Sequence, residues 1–130
     1  RYKYLIELGG QLPRFSDEQK KDEWKVPGCQ SQVWIIPHYS ENGISFEGDS
    51  DAIIVRGIIA VVLEIFKDKS AQEILDIDVE EIFDKMGLRE HITPNRRSGM
   101  LSMVDKIKYY AAQALKGQNE YSRISGKKDF

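Results

Sequence analysis

The only cysteine of the chain, Cys29, stands in the stretch Val26-Pro27-Gly28-Cys29-Gln30-Ser31-Gln32-Val33-Trp34. A thiol does its chemistry as the thiolate, either as a nucleophile or as a soft metal ligand. Pro27-Gly28 marks a tight turn, because Pro presets φ and Gly accepts a positive φ without a Cβ clash. Gly28 before the cysteine and polar Gln30, Ser31 and Gln32 after it place the thiol at a loop tip. From there it could reach into another molecule. The competing reading is a small buried hydrophobe, the usual state of a free cysteine, and the residues alone leave both open. A reactive thiolate needs a neighbouring cation, base or helix N-terminus. The candidates are Arg56, Arg96, Arg97 and the helix that starts near Asp51, none of them adjacent to Cys29 in sequence.

The other reactive side chains offer less. His38 and His91 could pair with Cys29 only through contact in space, and their spacing matches no metal-ligand pattern. One cysteine and two scattered histidines make no metal site. Asp49 and Asp51 could form a carboxylate pair, but Asp and Ser before an apolar run are helix N-caps first of all. Arg96-Arg97 opens a helix at the end where the dipole disfavours cations, which hints at an anion or partner contact. The glycines match no phosphate-binding loop.

The totals set the frame for these residues. A chain of 130 residues fits one domain with a real core. Lys+Arg 19 against Asp+Glu 21 leaves a net charge of -2, so the basic footprint of a nucleic-acid binder is missing. A lone cysteine excludes an internal disulfide and fits a reducing compartment. It cannot by itself hold a Cys-rich zinc site or an iron–sulfur cluster. The longest apolar run, Ile58 to Leu63, is far too short to span a bilayer, and no signal peptide opens the chain. Lacking an initiator Met and opening within a helix pattern, the chain reads as truncated at its N-terminus.

Several elements must position the cysteine loop. Tyr4 to Leu8 before Gly9-Gly10 reads as a helix stopped by glycine at C′. Ser16 with Gln19 resembles a capping box and predicts one or two helical turns over Asp17 to Lys21. Trp24-Lys25-Val26 alternates as a short strand. Gln32 to His38, a turn at Glu41-Asn42-Gly43, and Ile44 to Glu47 form a hairpin. Gly48-Asp49-Ser50-Asp51 then ends the sheet and caps a central helix, Ala52 to Phe66, apolar nearly all round. Gly57 within it suggests close approach of another backbone. Ser70 and Glu73 open a short helix through Leu75, and Asp78 opens Val79 to Met86 with Gly87 as the stop. Thr93-Pro94 starts the last helix, to about Leu115. Met100, Leu101, Val104, Ile107, Ala111, Ala114 and Leu115 form its apolar face. The polar residues 118–130 read as a disordered tail. The fold class is therefore α+β, a small antiparallel sheet of about three strands packed against several helices, in one domain over 1–117.

Gly28-Cys29-Gln30-Ser31-Gln32-Val33-Trp34 resembles the signature loop of the SufE family. The resemblance extends to Tyr4-Leu5-Ile6-Glu7-Leu8-Gly9, to Gly48-Asp49-Ser50-Asp51-Ala52 with Ile54, Val55 and Gly57, and to Thr93-Pro94 with Arg96 and Gly99. The blocks occur in the family's order and cover residues 1 to about 115.

The resemblance implies an α+β fold like that of the NifU and IscU scaffolds. It implies that the protein is a sulfur acceptor, a carrier and activator rather than an enzyme, for a cysteine desulfurase of the SufS type. The pyridoxal phosphate is then the partner's, and this chain needs no cofactor. Cys29 would take the sulfur as a persulfide and relay it toward a SufB-type scaffold for Fe–S cluster assembly. By match to the motif, Asp51 and Arg96 are expected partner contacts, and Gly28, Gln30, Ser31 and Gln32 support the loop. Persulfide transfer is thiol exchange. It needs one cysteine here, because the second sulfur comes from the partner, and a resolving thiol nearby would drain the persulfide into a disulfide. Rival readings are a CsdE-type acceptor serving a different desulfurase, an IscU-type cluster scaffold, and a binding module in which Cys29 is structural. A cytoplasmic location is expected, with an organellar form that has lost a transit peptide as the alternative. A homodimer is open; nucleic acid and membrane are not expected as partners.

Overall fold

The computed structural model describes residues 2–41 and 43–128, with backbone alone for Tyr2 and for 118–128. Its helices are α1 (Tyr2–Gly10), α2 (Ile53–Phe66), α3 (Ala71–Asp76), α4 (Val79–Lys85) and α5 (Pro94–Lys128). Its strands are β1 (Val33–Ser40) and β2 (Gly43–Ser50), with short 3-10 turns at Asp22–Trp24 and Arg89–His91. The class is α+β, as expected. The hairpin pairs antiparallel from Val33 opposite Ser50 to Ser40 opposite Gly43. β1 begins one residue later than predicted and runs on to Ser40, while β2 outruns the predicted Ile44–Glu47 at both ends. Asn42 of the predicted Asn-Gly turn lies outside the described residues.

The expected third strand shrinks to a single bridge, Lys25 to Trp34. The Val26 N–H still donates to the Val33 carbonyl at 2.8 Å. Pro27-Gly28 then turns the chain away, and the 3-10 turn occupies the residues before Lys25, so no ladder has room to form. The predicted helix after Ser16 is likewise one turn only. Gln19 Oε1 accepts the Ser16 N–H at 2.9 Å, but no apolar stripe holds a further turn in place.

Local capping signals do form at the expected positions. Ser70 and Glu73 make the full capping box of α3, and Asp78 Oδ1 accepts the Glu81 N–H of α4 at 3.2 Å. Thr93 Oγ1 accepts the Arg96 N–H at 3.3 Å at the start of α5. Farther along α5, the Lys108 ammonium donates to the carbonyls of Leu75 and Ile77 (3.2 and 2.6 Å), closing the C-terminal end of α3.

Two expectations shift at helix ends. Gly9 is not a helix stop; α1 runs through it to Gly10. Its reason for being glycine is tertiary, because a Cβ there would lie 2.7 Å from the Gly57 nitrogen of α2. Gly57 in turn abuts the Leu5 carbonyl, which is the close backbone approach its sequence position suggested. At the other end, α5 continues as helix to Lys128 where a disordered tail was expected from 118 onward; residues 129–130 lie outside the described ones. Extending a formed helix costs far less than nucleating one, and an interior glycine such as Gly117 costs only about 1 kcal/mol.

The core gathers α2 against the hairpin, with α1 and α5 flanking. Leu5, Ile35, Ile58, Ile59, Val62, Phe66, Ile74, Phe83, Leu88, Met103 and Ile107 are all buried. The buried face of α5 is Met100, Met103, Val104, Ile107 and Ala111; Leu101, predicted to belong to it, is exposed, and Met103 takes its place. No helix among the described residues is long and apolar enough to cross a membrane.

Candidate functional site: the cysteine loop

The loop leaves the core at Val26 and re-enters it at Val33, both buried. Gly28 adopts φ 82°, the left-handed turn that the Pro-Gly pair requires. It rests on α5, where a Cβ at position 28 would meet Ser102 Oγ at 3.0 Å. Cys29 therefore does not stand free at a tip. Its side chain is half-buried, turned inward over the early turns of α5. The thiol points at the Gly99 carbonyl, 3.6 Å away.

A cavity of about 130 Å³ opens beside the thiol. Val33, Val55, Ile58, Met103 and Gly99 form its apolar wall, and Gln30, Ser31, Asn95 and Arg96 form its polar side. The larger hollow bounded by Tyr4, Leu8, Phe46, Leu63 and Lys67 shares no residue with it. Burial pushes the Cys29 thiol above its ordinary value, because the thiolate loses hydration it would have in water. At rest the sulfur is protonated and shielded.

The loop's far end is clasped by Asp51. Asp51 Oδ1 accepts the Gln32 N–H at 3.0 Å, and the Asp51 N–H returns to the Gln32 carbonyl at 3.4 Å. This exposed carboxylate thus ties the cysteine loop to the segment entering α2. It does not cap that helix. The N-cap of α2 is Ala52, with no side-chain cap, while Ser50 Oγ accepts the Ala52 N–H at 3.2 Å.

Asp49 has a different use from the capping role expected of it. It is the penultimate residue of β2 and fully buried. Oδ1 accepts from Arg56 Nε at 2.8 Å and from the Ser50 N–H at 2.8 Å, and Oδ2 accepts from the Phe15 N–H at 2.9 Å. Arg56 also donates from Nη2 to the Leu12 carbonyl at 2.7 Å. Burial pushes the Asp49 carboxyl up, but the Phe15 N–H, the Arg56 guanidinium and the Ser50 N–H together outweigh it and hold the group below the usual carboxylate range. Arg56 is therefore committed to Asp49, and it does not line the cysteine cavity.

The remaining candidates sort by place. Arg97 pairs with Glu80 at 2.5 Å, whereas Arg96 lines the cysteine cavity and its guanidinium enters no ion pair among the described residues. His38 bonds Glu47 across the hairpin at 2.5 Å. His91 lies on the 3-10 turn before α5, and neither histidine lines the cavity. Among the described residues, no three His, Cys, Asp or Glu side chains converge as a metal site would. Of the predicted site residues, Gly28, Cys29, Gln30, Ser31, Gln32, Asp51 and Arg96 fall within one loop and its immediate supports. Sequence reading missed Val55, Ile58, Asn95 and Met103 beside the thiol and Ser102 beneath Gly28. The one available signal was Gly99, a glycine inside a helix with no turn to make.

A family model described as "SufE: Fe-S metabolism associated domain" matches residues 1–111. A SufE-like protein of Rhizobium etli is 51% identical over 112 residues, covering 83% of this chain and 76% of its own. Another, of Rhizobium meliloti, is 47% identical over 112 residues, covering 83% of this chain and 80% of its own. The solution structure of a hypothetical protein from Thermus thermophilus superposes with a TM-score of 0.74. It covers 89% of this chain and 85% of that one at 18% identity, which speaks for the fold alone. By the family match and by these relatives, the chain belongs to the SufE family, whose domain is associated with Fe–S metabolism.

Proposed function

We propose that Cys29 accepts sulfur from the persulfide of a pyridoxal-phosphate-dependent cysteine desulfurase of the SufS type and relays it toward a SufB-type scaffold. The observation that carries this reading is the seating of the chain's only thiol, on a glycine-turned loop, at a cavity with one apolar wall, with no second thiol to trap the cargo. The Cys29 thiolate attacks the outer sulfur of the partner's persulfide. The partner's S–S bond breaks, its cysteine leaves as a thiolate, and a new S–S bond joins the transferred sulfur to Cys29. The proton of the Cys29 thiol passes to solvent or to a base of the partner. The chain supplies no cofactor to this step and acts as carrier and activator rather than enzyme.

Burial keeps the thiol protonated at rest, so docking has to bring the loop outward before transfer. Gly28 and the Asp51–Gln32 clasp are the points about which it moves. Gln30, Ser31 and Arg96, on the polar side of the cavity, meet the partner. The same chemistry serves a CsdE-type acceptor, and the choice between desulfurases is read by offering each in turn.

The test is mass spectrometry of the protein after incubation with L-cysteine and a desulfurase. The expected product carries one added sulfur on Cys29, and the Cys29→Ser variant carries none. Sulfur accepted equally by Cys29→Ser would sink the proposal.

A further inference from the structure

Gly99 sits in the interior of α5 and is buried. A helix interior prefers alanine to glycine, so a glycine there calls for a reason. Steric demand in the unloaded protein does not supply one. A Cβ at position 99 would meet only Cys29, at 3.5 Å from Sγ and 3.9 Å from Cβ, which is ordinary contact. Elsewhere the reason is plain: a Cβ at Gly9 would run into the backbone of Gly57.

The missing methyl leaves space at the sulfur itself. A persulfide adds a second sulfur about 2 Å beyond Sγ, the usual S–S length. The cavity beside the thiol holds about 130 Å³, on the scale at which an apolar protein cavity of about 150 Å³ admits benzene. Gly99 lines it without a side chain, beside the apolar wall of Val33, Val55, Ile58 and Met103.

We propose that Gly99 is the positioning residue that gives room to the outer sulfur of loaded Cys29, so that position 99 senses the persulfide and not the free thiol. This rests on the sulfur-acceptor reading. An alanine methyl fits beside the thiol but competes with the second sulfur for the same space. The loaded loop would then be pushed out toward water, where reductants reach the persulfide.

The experiment compares wild type with Gly99→Ala, each loaded by a desulfurase and L-cysteine and, separately, by inorganic polysulfide. Persulfide decay under a mild thiol reductant is followed by alkylation and intact-mass measurement. Alkylation of unloaded Cys29 and the thermal midpoint of the unloaded protein are measured alongside. Gly99→Ala is expected to match wild type in unloaded alkylation and to melt at or above it. Its persulfide should decay at least about fivefold faster, the low end of an overpacking penalty read as a population shift. Failure to load by either route, with unloaded alkylation unchanged, supports the inference equally. Equal persulfide lifetimes in the two proteins overturn it and leave the acceptor reading intact. Absence of any persulfide on wild type overturns that reading and this inference with it.

Discussion

Asp49 and Arg56 form an ion pair closed to water: Arg56 Nε lies 2.8 Å from Asp49 Oδ1, with the two residues 0% and 6% exposed. The pair joins three segments, since Asp49 lies at the end of β2, Arg56 lies near the start of α2, and both hold the Leu12–Phe15 connection by its backbone. Removing one partner leaves the other as an uncompensated buried charge. Asp49→Ala is therefore expected to lower stability by about 3–5 kcal/mol, read as a fall in the urea midpoint. The pair also carries a pH signature. Asp49 titrates lower in the folded chain than in the unfolded one, so its contribution is complete above the unfolded value of about 3.9 and is lost as pH falls through the folded value. The stability gap between wild type and Asp49→Asn should narrow from pH 7 to pH 3. A gap that stays constant over that range refutes the assignment.

Gly57 and Gly10 should respond to alanine in opposite directions. A Cβ at Gly57 would drive into the Leu5 carbonyl, a backbone group that cannot swing aside, whereas one at Gly10 would meet nothing within 4 Å. Gly57→Ala should cost more than the ordinary overpacking penalty of about 1–3 kcal/mol. Gly10→Ala should be neutral or stabilising by up to about 1 kcal/mol. Thermal unfolding of the two variants checks both, and a tolerated Gly57→Ala would show that α1 does not pack on α2 in this way.

Alkylation of Cys29 should be slow at neutral pH and rise with pH. Burial raises the thiol, so the thiolate fraction at pH 7 falls below that of a free cysteine with a value near 8.5. The iodoacetamide rate should climb roughly tenfold per pH unit and level off only above that value. Asp51→Ala releases the Gln32 N–H held at 3.0 Å and should speed alkylation at every pH through a looser loop. Unchanged rates in Asp51→Ala would mean that the clasp does not hold the thiol in its seat.

Elements whose signals lie within a few residues of one another were legible in the chain before any fold was known. The Ser70–Glu73 box, the Asp78 and Thr93 caps and the hairpin all form at their expected places, because caps and turns satisfy backbone groups of their immediate neighbours. The family was legible too, through the block around Cys29. Whatever depends on residues distant in sequence waited for the packing of the elements. Trp24-Lys25-Val26 carries strand-like alternation, but the ladder it needs is cut off by the Pro27 turn. Gly9 looks like a helix stop and is a helix crossing, because its partner is Gly57. Asp49 and Asp51 look alike as caps; folding buries one on Arg56 and leaves the other on the cysteine loop. The state of Cys29, open between a buried hydrophobe and a reactive thiol, depends on Gly99, 70 residues away. Half-burial against that glycine makes it a shielded thiol with room beside it, because the solvation of a sulfur depends on every surface that packs around it and not on its neighbours in the chain.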